Sequence, residues 1–186
     1  MSPQQPGWMP VGPAVMTAAI DLDGIDGGGE AGGFEDGWYQ GFFLHTRNFT
    51  SKNGVAQTFT SRDVPSKDGA SRNIQLEVEI TRKSDGRILN TTLQRNYRYE
   101  DLDTSTIQAV KDGKANTRTR LALQDLAQLQ KIAACGPLLP DGQGGIELGP
   151  LYGKEAYFRL GPDDRNSAFK KIKACQLDPP KRSVVL

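Results

Sequence analysis

The chain is poor in the residues from which active sites are most often assembled. It has one histidine, His45, and two cysteines, Cys135 and Cys175, with no CxxC pair and nothing to complete a zinc site. A Ser-His-Asp or Cys-His mechanism would have one base and no nucleophile motif beside it. Carboxylates are plentiful, but they sit on outward strand positions or in turns, without the spacing of a general acid and base. No apolar run reaches the roughly 18 residues of a membrane-spanning helix, and MSPQQPGW lacks the basic and apolar segments of an export signal. The glycine-rich run from Gly144 to Lys154 fails as a phosphate loop: its first glycine position is Leu148, and Glu155 stands where a hydroxyl is needed. These absences lead us to expect a soluble, cytoplasmic protein with reduced thiols that is not an enzyme and holds no cofactor or metal.

Positive charge is missing from one region only. Residues 1 to 37 carry Asp21, Asp23, Asp26, Glu30, Glu35 and Asp36 and no Lys or Arg, so all 23 cations and 16 of the 22 acids lie in the remainder, a net of plus 7. A basic body with an acidic arm behaves differently from a neutral protein of the same total charge. The arm is rich in Gly and Pro and is expected to be flexible, apart from a short docked turn or strand over Val15 to Ile25. Its functional reading is competition with DNA for the basic surface. The division expected is an arm over 1–37, one domain over 38–178 and a tail over 179–186.

What is present in abundance is strand. From Trp38 to Phe49 both parities carry bulky residues: Trp38, Phe42 and Leu44 on one, Tyr39, Phe43, His45, Arg47 and Phe49 on the other. Such a strand is central in a barrel or keeps one face for a ligand. A hairpin-like excursion follows, with turns at Asn53-Gly54 and Asp68-Gly69. Ile74, Leu76, Val78 and Ile80 then alternate with Gln75, Glu77, Glu79 and Thr81. After a turn at Ser84-Asp85-Gly86, a third strand returns over Arg87 to Tyr99, with Leu89, Thr91, Leu93, Arg95, Tyr97 and Tyr99 on one side.

The period then changes. A short helix after Thr104 is followed by one with Ala122, Leu126, Leu129 and Ala133 on a single stripe, ended by Gly136-Pro137. Beyond a Gly/Pro loop, Ala156, Phe158 and Leu160 face in while Glu155, Tyr157 and Arg159 face out, and AFKKIKACQL reads as a last, basic strand. The order is mainly β and fits a five-stranded oligonucleotide-binding barrel with a helix between strands three and four.

The succession DGWYQGFFLHTRNFTSKNG, RNIQLEVEITRKSDGRILNTTLQ, a Leu-rich helix ending in CGP, and LYGKEAYFRLGPDDRNSAFKKIKAC resembles a family of small phage and prophage proteins. That family has a GxY-type first strand, an aliphatic second strand followed by a glycine turn, and an L-x-GK element entering the fourth strand. The resemblance covers roughly residues 36 to 176 and implies a single-stranded DNA-binding-like barrel in phage replication or recombination, within the host cytoplasm. The chain departs from the pattern in its acidic leader and in an insertion from Val55 to Ser71.

Basic side chains neutralise phosphates and aromatic rings stack on bases. The expected contacts are Tyr39, Phe43, Tyr97, Tyr99 and Tyr157 for stacking and Arg47, Lys52, Arg72, Arg95, Arg98, Arg159, Lys170 and Lys171 for phosphates. The partners expected are single-stranded DNA, replication or recombination proteins and further copies of the chain, with no membrane. The alternative is a protein-interaction or self-assembly module that uses an exposed strand edge and aromatic face.

Overall fold

The computed structural model describes residues 34 to 186 apart from 52, 135, 166 to 168 and 182. The first 33 residues, including the Val15 to Ile25 segment, and Lys52 therefore lie outside the described residues. The rest is mainly β. The strands are β1 (Gly37–Leu44), β2 (Thr46–Thr50), β3 (Ala56–Thr60), β4 (Arg62–Pro65), β5 (Ser71–Thr81), β6 (Ile88–Arg98), β7 (Glu155–Pro162) and β8 (Lys170–Gln176). Two helices, α1 (Thr104–Lys111) and α2 (Thr117–Ala133), fall between β6 and β7. Where five strands were expected there are eight: the first breaks at His45 into β1 and β2, and the insertion supplies β3 and β4.

Every ladder is antiparallel, and six strands share one sheet. β6 pairs with the whole of β5; β1 joins β5 to β7, and β7 pairs with β8. The two ends of this path curl toward each other. Arg95 Nη2 on β6 donates to the Lys173 carbonyl on β8 at 3.3 Å, although no ladder joins these strands among the described residues. α2 lies against both strands at this seam.

Strand alternation decides what is inside. Tyr39 and Phe43 of β1, Ile74 to Ile80 of β5 on alternate positions, Leu89, Leu93 and Tyr97 of β6, Ala156, Phe158 and Leu160 of β7, and Ile172 and Cys175 of β8 form one core. Phe43 and Phe158 meet edge to face at 5.1 Å. α2 adds Ala122, Leu126, Leu129, Ile132 and Ala133, the expected stripe and one more residue. The Asn116 side chain caps this helix by accepting from Thr119 N at 2.9 Å. The helix ends in a left-handed residue, Ala134 at φ 53, two residues ahead of the expected Gly136-Pro137 stop.

Residues on either side of the expected 38–178 domain pack against it. Phe34 is buried in the core, with its ring 5.3 Å from that of Tyr39. Leu186 N donates to the Trp38 carbonyl at 2.8 Å, which returns the tail to β1.

One buried polar cluster fixes the corner where β4, β5 and β6 meet. Arg72 and Asp63 are paired at 2.9 Å with side chains only 3% and 1% exposed. Arg72 Nη2 also donates to the Asp63 carbonyl, and Nη1 to Tyr99 Oη and the Gln143 carbonyl. The second Asp63 oxygen accepts from Tyr97 Oη at 2.6 Å and from Ile146 N at 2.8 Å. These contacts clamp the loop after α2 onto the sheet. A methyl group on Gly145 would lie 2.5 Å from Arg72 Nη2 and 2.6 Å from Asp141 Oδ2, so the position demands glycine.

Arg72→Ala leaves the Asp63 carboxylate buried without its cation, a change expected to cost about 3 to 5 kcal/mol. Arg62→Ala, at an exposed position on β4, should stay within about 0.5 kcal/mol of the parent. Urea denaturation followed by tryptophan fluorescence compares the two, and equal midpoints would contradict the role given to Arg72.

Candidate nucleic-acid interface

The inward turn of Tyr39 and Phe43 leaves Trp38, Gln40, Phe42 and Leu44 on the outer face of β1. The register with β7 sets Trp38 opposite Arg159, Gln40 opposite Tyr157, and Phe42 opposite Glu155. Toward β5, Gln40 faces Thr81 and Phe42 faces Glu79. Paired residues share a face, so Trp38, Tyr157 and Phe42 form an aromatic row with Arg159 at one end and two acids at the other. Phe42 is 41% exposed, Arg159 is exposed, and Trp38 and Tyr157 are half-buried. Gln40 Nε2 donates to Glu155 Oε1 within the row. Across β5 and β6 the same face continues with Asn73, Gln75, Asn90, Gln94 and Asn96, which offer hydrogen bonds without charge.

Beside this face stands a two-stranded ribbon of β2 and β3. It exists because β4 and β1 occupy one edge of β5 in succession, β4 along Arg72 to Gln75 and β1 along Glu77 to Thr81. The chain between them leaves the sheet at Leu76. The ribbon is pinned at its root by Glu77, an outward residue that is nonetheless buried. Arg47 Nε meets Glu77 Oε2 at 2.6 Å, Thr92 Oγ1 donates to Oε1 at 2.8 Å, and Ser61 Oγ accepts from Glu77 N. The Arg47 guanidinium also lies 4.8 Å over the Phe59 ring, and Phe49 is 6.3 Å from Phe59.

Several expected contacts are corrected. Tyr39, Phe43 and Tyr97 are core residues with at most 1% of their surface exposed, so no base can reach their rings. Burial pushes the Tyr39 and Tyr97 phenols above their ordinary range. Arg72 is locked against Asp63, out of reach of a phosphate. Arg95 shares the inward parity of Leu93 and Tyr97, and its Nε lies 3.0 Å from Asp125 Oδ2 of α2, which makes it a clasp across the β6–β8 seam.

Other expected phosphate contacts are partly or fully exposed but already paired. Arg47 is held by Glu77, Arg98 by Glu100 at 3.2 Å, Lys170 by Asp36 at 2.5 Å, and Lys171 by Asp164 at 3.0 Å. Tyr99 is exposed at the end of β6, away from the aromatic row, where it accepts from Arg72. Tyr157 and Arg159 face outward as expected, and Arg159 has no salt bridge among the described residues. Trp38, Phe42, Phe49 and Phe59 were not among the expected contacts. The readable signal for Trp38 was the outward parity of Arg159, because pairing the first strand with the fourth puts the two side by side.

Among the described residues no three His, Cys, Asp or Glu side chains gather into a metal-holding group, and no helix is long and apolar enough to cross a membrane. No protein-family model, curated protein or solved structure matches the chain.

The seam assigned to Arg95 can be probed through its neighbour. Cys175 is buried on β8, and burial pushes its thiol up to about 11. It should resist a thiol reagent at pH 8 in the folded protein. Arg95→Ala should speed its labelling by opening the seam, whereas Arg98→Ala should not. Equal labelling rates in the two variants would remove Arg95 from the seam.

Proposed function

We propose that the chain is a non-catalytic protein that binds single-stranded DNA with little sequence preference, in replication or recombination of the phage type. The observation that carries this reading is the outward row of Trp38, Tyr157 and Phe42 beside Arg159. Successive rings on one exposed face suit unpaired bases, whose π faces stack whatever their identity.

The strand connections support the same reading. β1, β5, β6, β7 and β8 follow the order of an oligonucleotide-binding barrel: one to two to three, and one to four to five, with α2 between three and four. We read the curled sheet as such a barrel, its last side closed by side chains and α2. The β2–β3 ribbon then occupies the loop between the first and second strands, a position from which such barrels commonly grip a strand. Fold alone does not assign function, so the weight rests on the aromatic row.

Because six of the eight cations expected to meet phosphate are already paired and Arg159 alone flanks the aromatic row, stacking is expected to dominate over charge on this face. Each phosphate neutralised adds about 0.7 to the salt slope on single strands, so one or two contacts give a slope near −1. Fluorescence anisotropy with a labelled oligothymidylate of about 30 nucleotides is expected to show this shallow slope and a preference over duplex. Trp38→Ala and Tyr157→Ala should each weaken binding by about 5- to 150-fold, equivalent to about 1 to 3 kcal/mol. Unchanged affinity in the double variant would overturn the assignment.

A further inference from the structure

The β2–β3 ribbon has an open edge whose chemistry fits a copy of itself. Ser51 N donates to the Val55 carbonyl at 2.9 Å and Ser61 N to the His45 carbonyl at 2.8 Å. In an antiparallel ladder bonded pairs alternate with unbonded ones. The register therefore bonds Phe49 to Gln57 and Arg47 to Phe59, and it turns the backbone groups of Ala56, Thr58 and Thr60 away from β2. All three residues are exposed, so an unpaired row of N–H and C=O groups faces outward.

Strand edges of this kind are ordinarily blunted by charge, proline or a covering element. Other edges among the described residues carry such devices: β4 ends in Pro65, the β6–β8 seam is spanned by Arg95 and covered by α2, and β2, the ribbon's other edge, carries the charged Arg47. The run from Ala56 to Thr60, AQTFT, has neither charge nor proline. An isolated two-stranded ribbon is also marginal in water, which favours a further strand.

We propose that two copies of the chain join through β3, antiparallel about a two-fold axis at Thr58, to form a four-stranded ribbon. The geometry is self-consistent. With Thr58 opposite its own copy, Ala56 faces the partner's Thr60, so the same three outward residues bond to one another. Six backbone hydrogen bonds result, two from each of the three pairs. The second copy is preferred to an unrelated peptide because the uncharged strand meets no like-charge penalty against itself. Phe59 and Gln57 alternate across the join, which extends the Arg47, Phe49 and Phe59 face into the other copy. A two-fold interface of this type closes on itself and stops at a dimer.

The full chain tests this without DNA, so the outcome is independent of the proposed nucleic-acid binding. Sedimentation should show the mass rising with concentration from 20.3 kDa to twice that value. Thr58→Lys, which sets two ammonium groups at the axis, should abolish the doubled mass. In a Cys135→Ser background, Thr58→Cys should cross-link under mild oxidation. Its Cα atoms would be about 5.5 Å apart, within the span a disulfide bridges. Ala56→Cys, about 14 Å from its own copy, should not. A single mass of 20.3 kDa at every concentration, a Lys variant that still doubles, or equal cross-linking of the two cysteine variants would each overturn the proposal.

Discussion

The buried Arg72–Asp63 pair is the constraint from which the rest of the arrangement follows. It ties β4 to the first half of β5, takes Tyr97 of β6 as a third member, and holds the loop after α2 through Ile146 and Gln143. With that half of the β5 edge occupied, β1 can pair only with the second half. The chain between them must leave the sheet at Leu76, and the ribbon is the consequence. Desolvation offsets much of the attraction in such a pair. Its structural effect is specificity, because the charges and hydrogen bonds accept only one register of β4 on β5.

Electrostatics shape the proposed interface in a second way. A body of net plus 7 reads as a phosphate-binding surface, yet most of the cations expected to meet phosphate are held in pairs. Glu77 holds Arg47, Asp164 is shared by Lys171 and Lys173, and Asp101, fully buried, holds Arg118 at the start of α2. Burial works against the charged form of Asp101, but hydrogen bonds from Arg98 N and Arg118 bring it below the usual carboxylate range. What remains outward on β1 and β7 is aromatic and amide-bearing, a surface that recognises bases by stacking more than by charge.

Much of this was legible in the sequence where one strand face is plainly apolar. Ile74 to Ile80 and Ala156 to Leu160 alternate cleanly, and their inward faces follow. The α2 stripe and the glycine turns at 54, 69 and 86 were equally readable, the latter because each glycine adopts positive φ. The first strand was not, since both its parities carry aromatic rings and only its neighbours decide which faces the core. Phe158 packs on Phe43, which puts Trp38 and Phe42 outside. Polar residues on apolar parities were the other source of error. Arg72, Arg95 and Tyr97 follow the aliphatic side of their strands inward because Asp63 and Asp125, placed there by other elements of the fold, receive them.

The measurement that bears most directly on the aromatic face is an amide and indole NMR titration of the full chain with oligothymidylate. Shift changes are expected at Trp38, Gln40, Phe42, Tyr157 and Arg159, including the Trp38 indole N–H, and along the ribbon. Changes confined to α1 and α2, or none at a strand excess that saturates the anisotropy signal, would contradict binding on the outer face of β1 and β7.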